Sequence, residues 1–386
     1  MSETISIPLW LAVLVLLLAA WAVLDRFLLP GARWFLRRRV TRVVDEINTR
    51  LDLKIQSFKL TRREVLIDRL SYDAEVMDAV AAQSAADGIP REVLMARVAR
   101  YAHEIVPAFN AYVYFRVGAW AARRLAEWLY RVRLGDASDE GLAAVDPEAS
   151  VVFVMNHRSN MDYVLVAYLA ASRTALSYAV GEWARIWPLQ TLIRSLGAYF
   201  VRRESGDQLY RRVLERYVAM ATAAGVVQAV YPEGGLSRDG HLRPPRLGLL
   251  NYMLKALESD GAKDVVFIPV GINYDRVLED RSLVRSLDPE AERRSTGFAL
   301  KKTFGFIGHN LALMIRGRWF RFGYACVNFG APVSARAWIE ENDVSDEAAR
   351  QKSVDALGRH LMHSVGRVVP VLPVSLIATV FARRGG

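Results

Sequence analysis

Val151-Val152-Phe153-Val154-Met155-Asn156-His157-Arg158-Ser159-Asn160-Met161-Asp162 is the stretch on which the fold turns. Its first five residues are apolar and rich in β-branched side chains, the pattern of a short strand. The polar run that follows ends the strand, and Asp162 opens a helical pattern. His157 is thereby placed at the carboxyl end of a strand, where open α/β sheets carry their ligands. The same alternation continues outward. Strands are predicted at 176–180, 198–201, 226–231, 265–270 and 325–329, with helices at 162–171, 207–224 and 249–258. Such alternation predicts an α/β domain built on a central mixed sheet flanked by helices.

Upstream the character changes. Residues 5–24 are almost wholly apolar, long enough to cross a bilayer as a helix. No Lys or Arg precedes them, whereas Arg26, Arg33, Arg37, Arg38, Arg39 and Arg42 follow, which places the body of the chain on the cytoplasmic side of a cell membrane. A cleaved secretory signal is the alternative, but it lacks the usual basic start. Leu36, Val40, Val43, Val44, Ile47 and Leu51 recur at helical spacing among arginines, as an interfacial helix or as a helix packed on the domain. Residues 60–134 read as mostly helical, with a helix start at Ile89-Pro90-Arg91-Glu92, and 134–150 reads as a linker. At the other end, 368–381 is apolar but interrupted by Pro370 and Pro373, too short for a second span. A core element or a membrane-surface segment fits it better. The expected organisation is an anchor at 1–30, a helical accessory region at 31–145, the α/β domain at 146–340, and a helix with an apolar tail at 341–386.

Composition narrows the partners. The 386 residues carry a formal net charge of +10, which suits phospholipid headgroups, phosphorylated substrates or nucleic acid, or reflects a merely basic surface. Membrane attachment disfavours nucleic acid. Cys326 is the only cysteine, so neither an intrachain disulfide nor a multi-cysteine metal site can form.

Four blocks carry chemistry. His157 and Asp162 are five positions apart, and a loop between them would let the carboxylate turn back to the imidazole. Such a pair removes a proton from a hydroxyl while the carboxylate fixes the tautomer; alone, it reads more readily as a loop histidine and a helix cap. Gly197-Ala198-Tyr199-Phe200-Val201-Arg202-Arg203 is a strand ending in paired arginines, by itself a charged sheet edge. Tyr231-Pro232-Glu233-Gly234-Gly235-Leu236-Ser237-Arg238 offers a glycine-rich, anion-accommodating loop with an arginine fork, or else a solvated turn. Arg243, Pro244, Pro245 and Arg246 follow it. Val265-Val266-Phe267-Ile268-Pro269-Val270-Gly271 reads as a core strand. No Gly-x-Ser-x-Gly elbow is present, which argues against a serine hydrolase or thioesterase.

Together and in this order the four blocks resemble the glycerolipid acyltransferase family. His157-Arg158-Ser159-x-Met161-Asp162-Tyr163, Arg202-Arg203, Glu233-Gly234-Gly235-x-Ser237-Arg238-x-Gly240 and Pro244-Pro245 are similar to its glycerol-3-phosphate acyltransferase branch, as are 66–73 and 104–107 ahead of the domain. Long members of that branch carry a large further region after the apolar segment. The resemblance implies acyl transfer from an acyl thioester, on coenzyme A or acyl-carrier protein, to the sn-1 hydroxyl of glycerol 3-phosphate. It implies His157 as general base, Asp162 as its orienting carboxylate, and Arg202, Arg203, Ser237 and Arg238 as phosphate ligands. Glu233 and Gly234 shape the pocket, and neither a cofactor, a metal nor a protein nucleophile is required. Acyl transfer to 1-acylglycerol 3-phosphate or dihydroxyacetone phosphate would fit the same blocks. A non-catalytic lipid-binding scaffold is the reading from another class. Membrane phospholipid is the expected surroundings.

Overall fold

The apolar run at 151–155 lies at the centre of the sheet. A computed structural model describes residues 53–137, 145–171, 174–181, 185, 189–202, 205–258, 261–285, 321–342 and 346–384. The predicted span at 5–24 and the basic helix at 36–51 lie outside the described residues. So does Arg203. Among the described residues eight strands make one mixed sheet: β1 (Arg131–Ala137), β2 (Ser150–Met155), β3 (Ser177–Gly181), β4 (Tyr199–Val201), β5 (Gln228–Val230), β6 (Val265–Tyr274), β7 (Tyr324–Phe329) and β8 (Val333–Ser334). Their order is β1-β7-β6-β2-β5-β3-β4, with β8 pairing against β6. Strands β6, β2, β5, β3 and β4 run parallel, while β7 and β8 are antiparallel to β6.

Alternation along β2 divides the core. Val152 and Val154 face one side with Val230 and Phe267. They meet α1 (Arg63–Ser71), α2 (Ala74–Asp87) and α3 (Arg91–Ile105) through one continuous cluster that includes Leu66, Leu70, Val80, Leu94 and Val98. The helical region ahead of the domain therefore shares its core with the sheet. Val151, Phe153 and Met155 face the other side, with Ala126 and Leu129 of α4 (Ala119–Leu129) and Leu165 of α5 (Met161–Ala170). The first face also receives α6 (Gln208–Ala223), α7 (Gly248–Leu254) and α8 (Glu347–Val368). Helices on both faces explain why the parallel strands are apolar throughout rather than alternating.

Two departures from the sequence reading have physical causes. Residues 131–137, expected as the end of a helical region running into a linker, form the edge strand β1. Arg131 and Arg133 point outward there while Val132 packs inward, a period-2 signal too short to register before a linker. The tail at 368–381 is not a core element. After Val369 and Pro370 the chain turns by 91° into α9 (Pro373–Arg384), whose apolar side chains are exposed, Phe381 by 72%. Leu372 is buried and Asn273 Nδ2 donates to the Pro370 carbonyl at 2.8 Å, so the base of α9 is fixed to the end of β6. No single helix among the described residues is long and apolar enough to cross a membrane.

The topology also prepares the site. From β2 the chain skips a position to β3, reaches β4, and returns through α6 to insert β5 between β2 and β3. The segments that leave β2, β5 and β6 emerge side by side at the carboxyl ends of parallel neighbours, a topological switch point. Pro269 sits within β6 at no cost to the β2 ladder. Its carbonyl accepts from Gly330 N–H at 2.8 Å, on the side where β8 gives way to β7, so the missing donor falls at a break in pairing. Gly271 lies two residues on, where a Cβ would stand 2.4 Å from the Val368 carbonyl oxygen and 2.5 Å from Val369 N. Backbone cannot move aside as a side chain can. Gly271→Ala should therefore lower the unfolding free energy by about 1–3 kcal/mol in a urea titration, whereas unchanged stability would deny the close approach of β6 to the end of α8.

Candidate active site

His157 leaves β2 with its imidazole 3% exposed. Its Nδ1 lies 2.9 Å from Asp162 Oδ2. The same oxygen accepts the backbone N–H groups of Arg158 at 2.7 Å and Ser159 at 3.1 Å, and Oδ1 accepts the Tyr274 hydroxyl at 2.7 Å. A carboxylate has no proton to give, so the imidazole Nδ1 carries the hydrogen and the lone pair is left on Nε2. Asp162 is not the cap of α5 that its position suggested. Asn160 occupies that place, and Asp162 stands in the first turn, fully buried, with its carboxylate folded back over the loop.

The loop is held from both flanks. On the β6 side Asn156 Nδ2 donates to the Ile272 carbonyl and its Oδ1 accepts from Ile272 N–H, both at 2.8 Å, so a side chain extends the ladder past the end of β2. Ser159 Oγ donates to Glu279 Oε2 at 2.7 Å, and Asn160 donates through its backbone N–H and side chain to Oε1 at 3.0 Å. On the β5 side Glu233 Oε1 accepts from His157 N–H at 2.8 Å and Oε2 accepts from Arg243 N–H at 3.1 Å. The carbonyl of His157 in turn accepts from Ser237 N–H at 2.8 Å. Tyr231 stacks on the imidazole with ring centroids 4.2 Å apart, and Tyr163 meets it edge-on at 5.4 Å. Burial pushes the Tyr274 hydroxyl well above its ordinary range, with the Asp162 charge adding to the effect, so it stays a donor. Burial also raises the Glu233 carboxyl against the opposing pull of its two backbone donors.

Two family models match the chain: Acyltransferase over residues 137–273, and Glycerol-3-phosphate acyltransferase C-terminal region over 310–385. Curated relatives named glycerol-3-phosphate acyltransferase align over most of it. The one from Xylella fastidiosa is 26% identical over 354 residues, covering 88% of this chain and 40% of its own length. That from Pseudomonas putida is 25% identical over 336 residues, covering 83% and 38%. By these matches the chain is similar to glycerol-3-phosphate acyltransferases. It spans about 40% of the length of the curated relatives it matches. Among solved structures, the 1-acyl-sn-glycerophosphate acyltransferase of Thermotoga maritima aligns over 80% of this chain and 100% of that one, at 16% identity and a TM-score of 0.38.

Not every residue expected from the family pattern reaches the imidazole. His157, Asp162, Glu233, Gly234 and Ser237 come together. Glu233 is a staple between two loops, with both carboxylate oxygens engaged by backbone. Gly234, at φ +68°, lets Arg246 pass where a Cβ would stand 2.6 Å from Arg246 Cδ. Ser237 Oγ donates to the His241 carbonyl at 2.8 Å and accepts from Gly240 N–H at 3.0 Å, so it closes its own turn. Arg202 stands apart. It forks onto Glu104 of α3 at 2.8 and 2.7 Å, stacks over Tyr101 and Tyr210, and leaves β4, about 14 Å or three strand spacings from β2. The Glu104 hydrogen bonds hold its guanidinium above its ordinary range. Arg238 is exposed on the loop.

Tyr274, Asn156 and Glu279 were not singled out from sequence, although Asn156 lay in the opening stretch. Tyr274 follows directly on the Acyltransferase match, 112 positions from its partner, and nothing local marks it. Among the described residues no cluster of three or more His, Cys, Asp or Glu side chains is arranged to hold a metal ion. The staple can be tested on its own. Glu233→Gln replaces one acceptor oxygen with an N–H₂ facing a backbone N–H, and should cost about 1–3 kcal/mol in denaturant unfolding; a variant as stable as the parent would show that the two loops do not depend on it.

Proposed function

We propose that this chain transfers an acyl group from an acyl thioester, on coenzyme A or acyl-carrier protein, to the sn-1 hydroxyl of glycerol 3-phosphate. One observation carries the reading: His157 Nδ1 is bound to a buried carboxylate whose oxygens are already met by three other donors. That arrangement leaves Nε2 as an aimed base. Nε2 takes the proton of the acceptor hydroxyl as its oxygen attacks the thioester carbonyl. The tetrahedral intermediate then expels the thiolate, which recovers the proton from the imidazolium, and Asp162 stabilises the imidazolium while it exists. The hydroxyl is the nucleophile, so no acyl-enzyme forms. The match to relatives of this name supports the acceptor.

The reading includes a membrane. We infer that 5–24 spans the bilayer and holds the catalytic domain on its cytoplasmic side, where a lipid product partitions. Exposed apolar residues Val374, Ile377 and Phe381 on α9, followed by Arg383 and Arg384, support contact between this helix and an anionic lipid surface. The base of α9 is tied to β6 by Asn273, next to Tyr274 of the site.

Labelled acyl thioester and glycerol 3-phosphate test the chemistry. His157→Ala should lose on the order of 10²–10⁴-fold in turnover, and near wild-type turnover would sink the base assignment. Membranes washed with alkaline carbonate test the anchor. A spanning chain stays with the lipid, while release into the supernatant would contradict the span.

A further inference from the structure

We propose that Arg158, packed beneath Gly240, is the cation that binds the acceptor's phosphate monoester; this rests on the acyl-transfer reading above. The residue after the base has no assigned task beyond its backbone N–H on Asp162. Its side chain is half-buried, its Nε is enclosed without a hydrogen-bond partner, and its guanidinium forms no ion pair with a described residue. Two of the other arginines near the site are held elsewhere. Arg202 is forked onto Glu104, and Arg246 lies across Gly234.

An enclosed guanidinium nitrogen without a partner is costly, and an anion placed at the rest of the fork would offset that cost. Burial drags this guanidinium below its ordinary range, opposed by Glu233, Asp162 and Asp239 acting through space. Those carboxylates do not serve as its partners. Asp162 and Glu233 already accept four and two hydrogen bonds respectively, counted from their oxygens. Asp239 accepts from His241 N–H at 3.0 Å. A guanidinium fork placed in this way suits a phosphate dianion.

Gly240 makes the place for it. The residue sits at φ +86°, and a Cβ there would stand 2.7 Å from Arg158 Nη1. The guanidinium thus occupies the space that any side chain at 240 would fill. His157 and Arg158 engage the same β5 loop from successive positions, the imidazole against Tyr231 and the guanidinium against Gly240. Base and phosphate clamp then address one small acceptor from one strand end.

The test uses the full chain in lipid vesicles with two readouts: steady-state transfer, and calorimetric binding of glycerol 3-phosphate without a donor. Arg158→Met keeps the aliphatic stem and removes the charge. The acceptor KM and dissociation constant should both rise about 10- to 100-fold, with the thioester KM and the melting temperature unchanged. Arg158→Lys should recover part of the loss, and Gly240→Ala should weaken acceptor binding while leaving the charge in place. An acceptor KM and dissociation constant within twofold of the parent in Arg158→Met would overturn the proposal. If the parent binds glycerol 3-phosphate but transfers no acyl group, the function fails while the binding comparison still decides Arg158. If the parent does not bind it at all, both fall.

Discussion

A carboxylate buried at the end of the central strand organises this protein's site. Asp162 has no exposed surface, and four donors converge on it: an imidazole, two backbone amides and a phenol. The four donors come from three separate requirements of the fold. The amides need the loop after β2 to curl around the first turn of α5. The phenol needs β6 to run on to Tyr274, past the break at Pro269. The imidazole needs β2 to end where it does. If any of these fails, a charge is left buried and short of partners, which costs more than the lost hydrogen bond itself.

The sheet topology makes such convergence possible. Parallel strands β5, β2 and β6 end together, so three sequence-distant segments meet without a long excursion by any of them. Staples then fix their relative positions: Glu233 from the β5 loop, Glu279 from beyond β6, and Asn156 carrying the ladder one step further. The aromatic wall of Tyr231 and Tyr163 limits the imidazole to one orientation. Preorganisation of this kind is what a general base requires, because geometry must already be correct when the hydroxyl arrives.

Much of this was legible in the sequence, for reasons that can be named. The strand at 151–155 and its successors were readable because burial on both faces leaves an apolar run that no amphipathic helix shares. His157 and Asp162 were readable because they interact across one loop, so their spacing is local. The four-block pattern located Glu233, Gly234 and Ser237, and the fold adds the loop contacts that Glu233 and Ser237 make. What resisted was pairing at a distance. Arg202 carries the same letter as a phosphate ligand, and only the fold shows Glu104 meeting it. Tyr274 ends an apolar strand and has no local mark of its contact with Asp162. Strand β1 was hidden because an edge strand with outward arginines resembles the end of a basic helix. The tail after Pro370 was readable as apolar, but its exposure was not.

The central claim is that Asp162 fixes the tautomer of His157 and leaves Nε2 bare. Nitrogen-15 NMR of the imidazole, with the ring in its neutral form, tests it most directly. The account predicts a protonated, hydrogen-bonded Nδ1 and an unprotonated Nε2, with that preference weakened in Asp162→Asn. A neutral ring that carries its hydrogen on Nε2 would contradict the account, because no base would then face the acceptor.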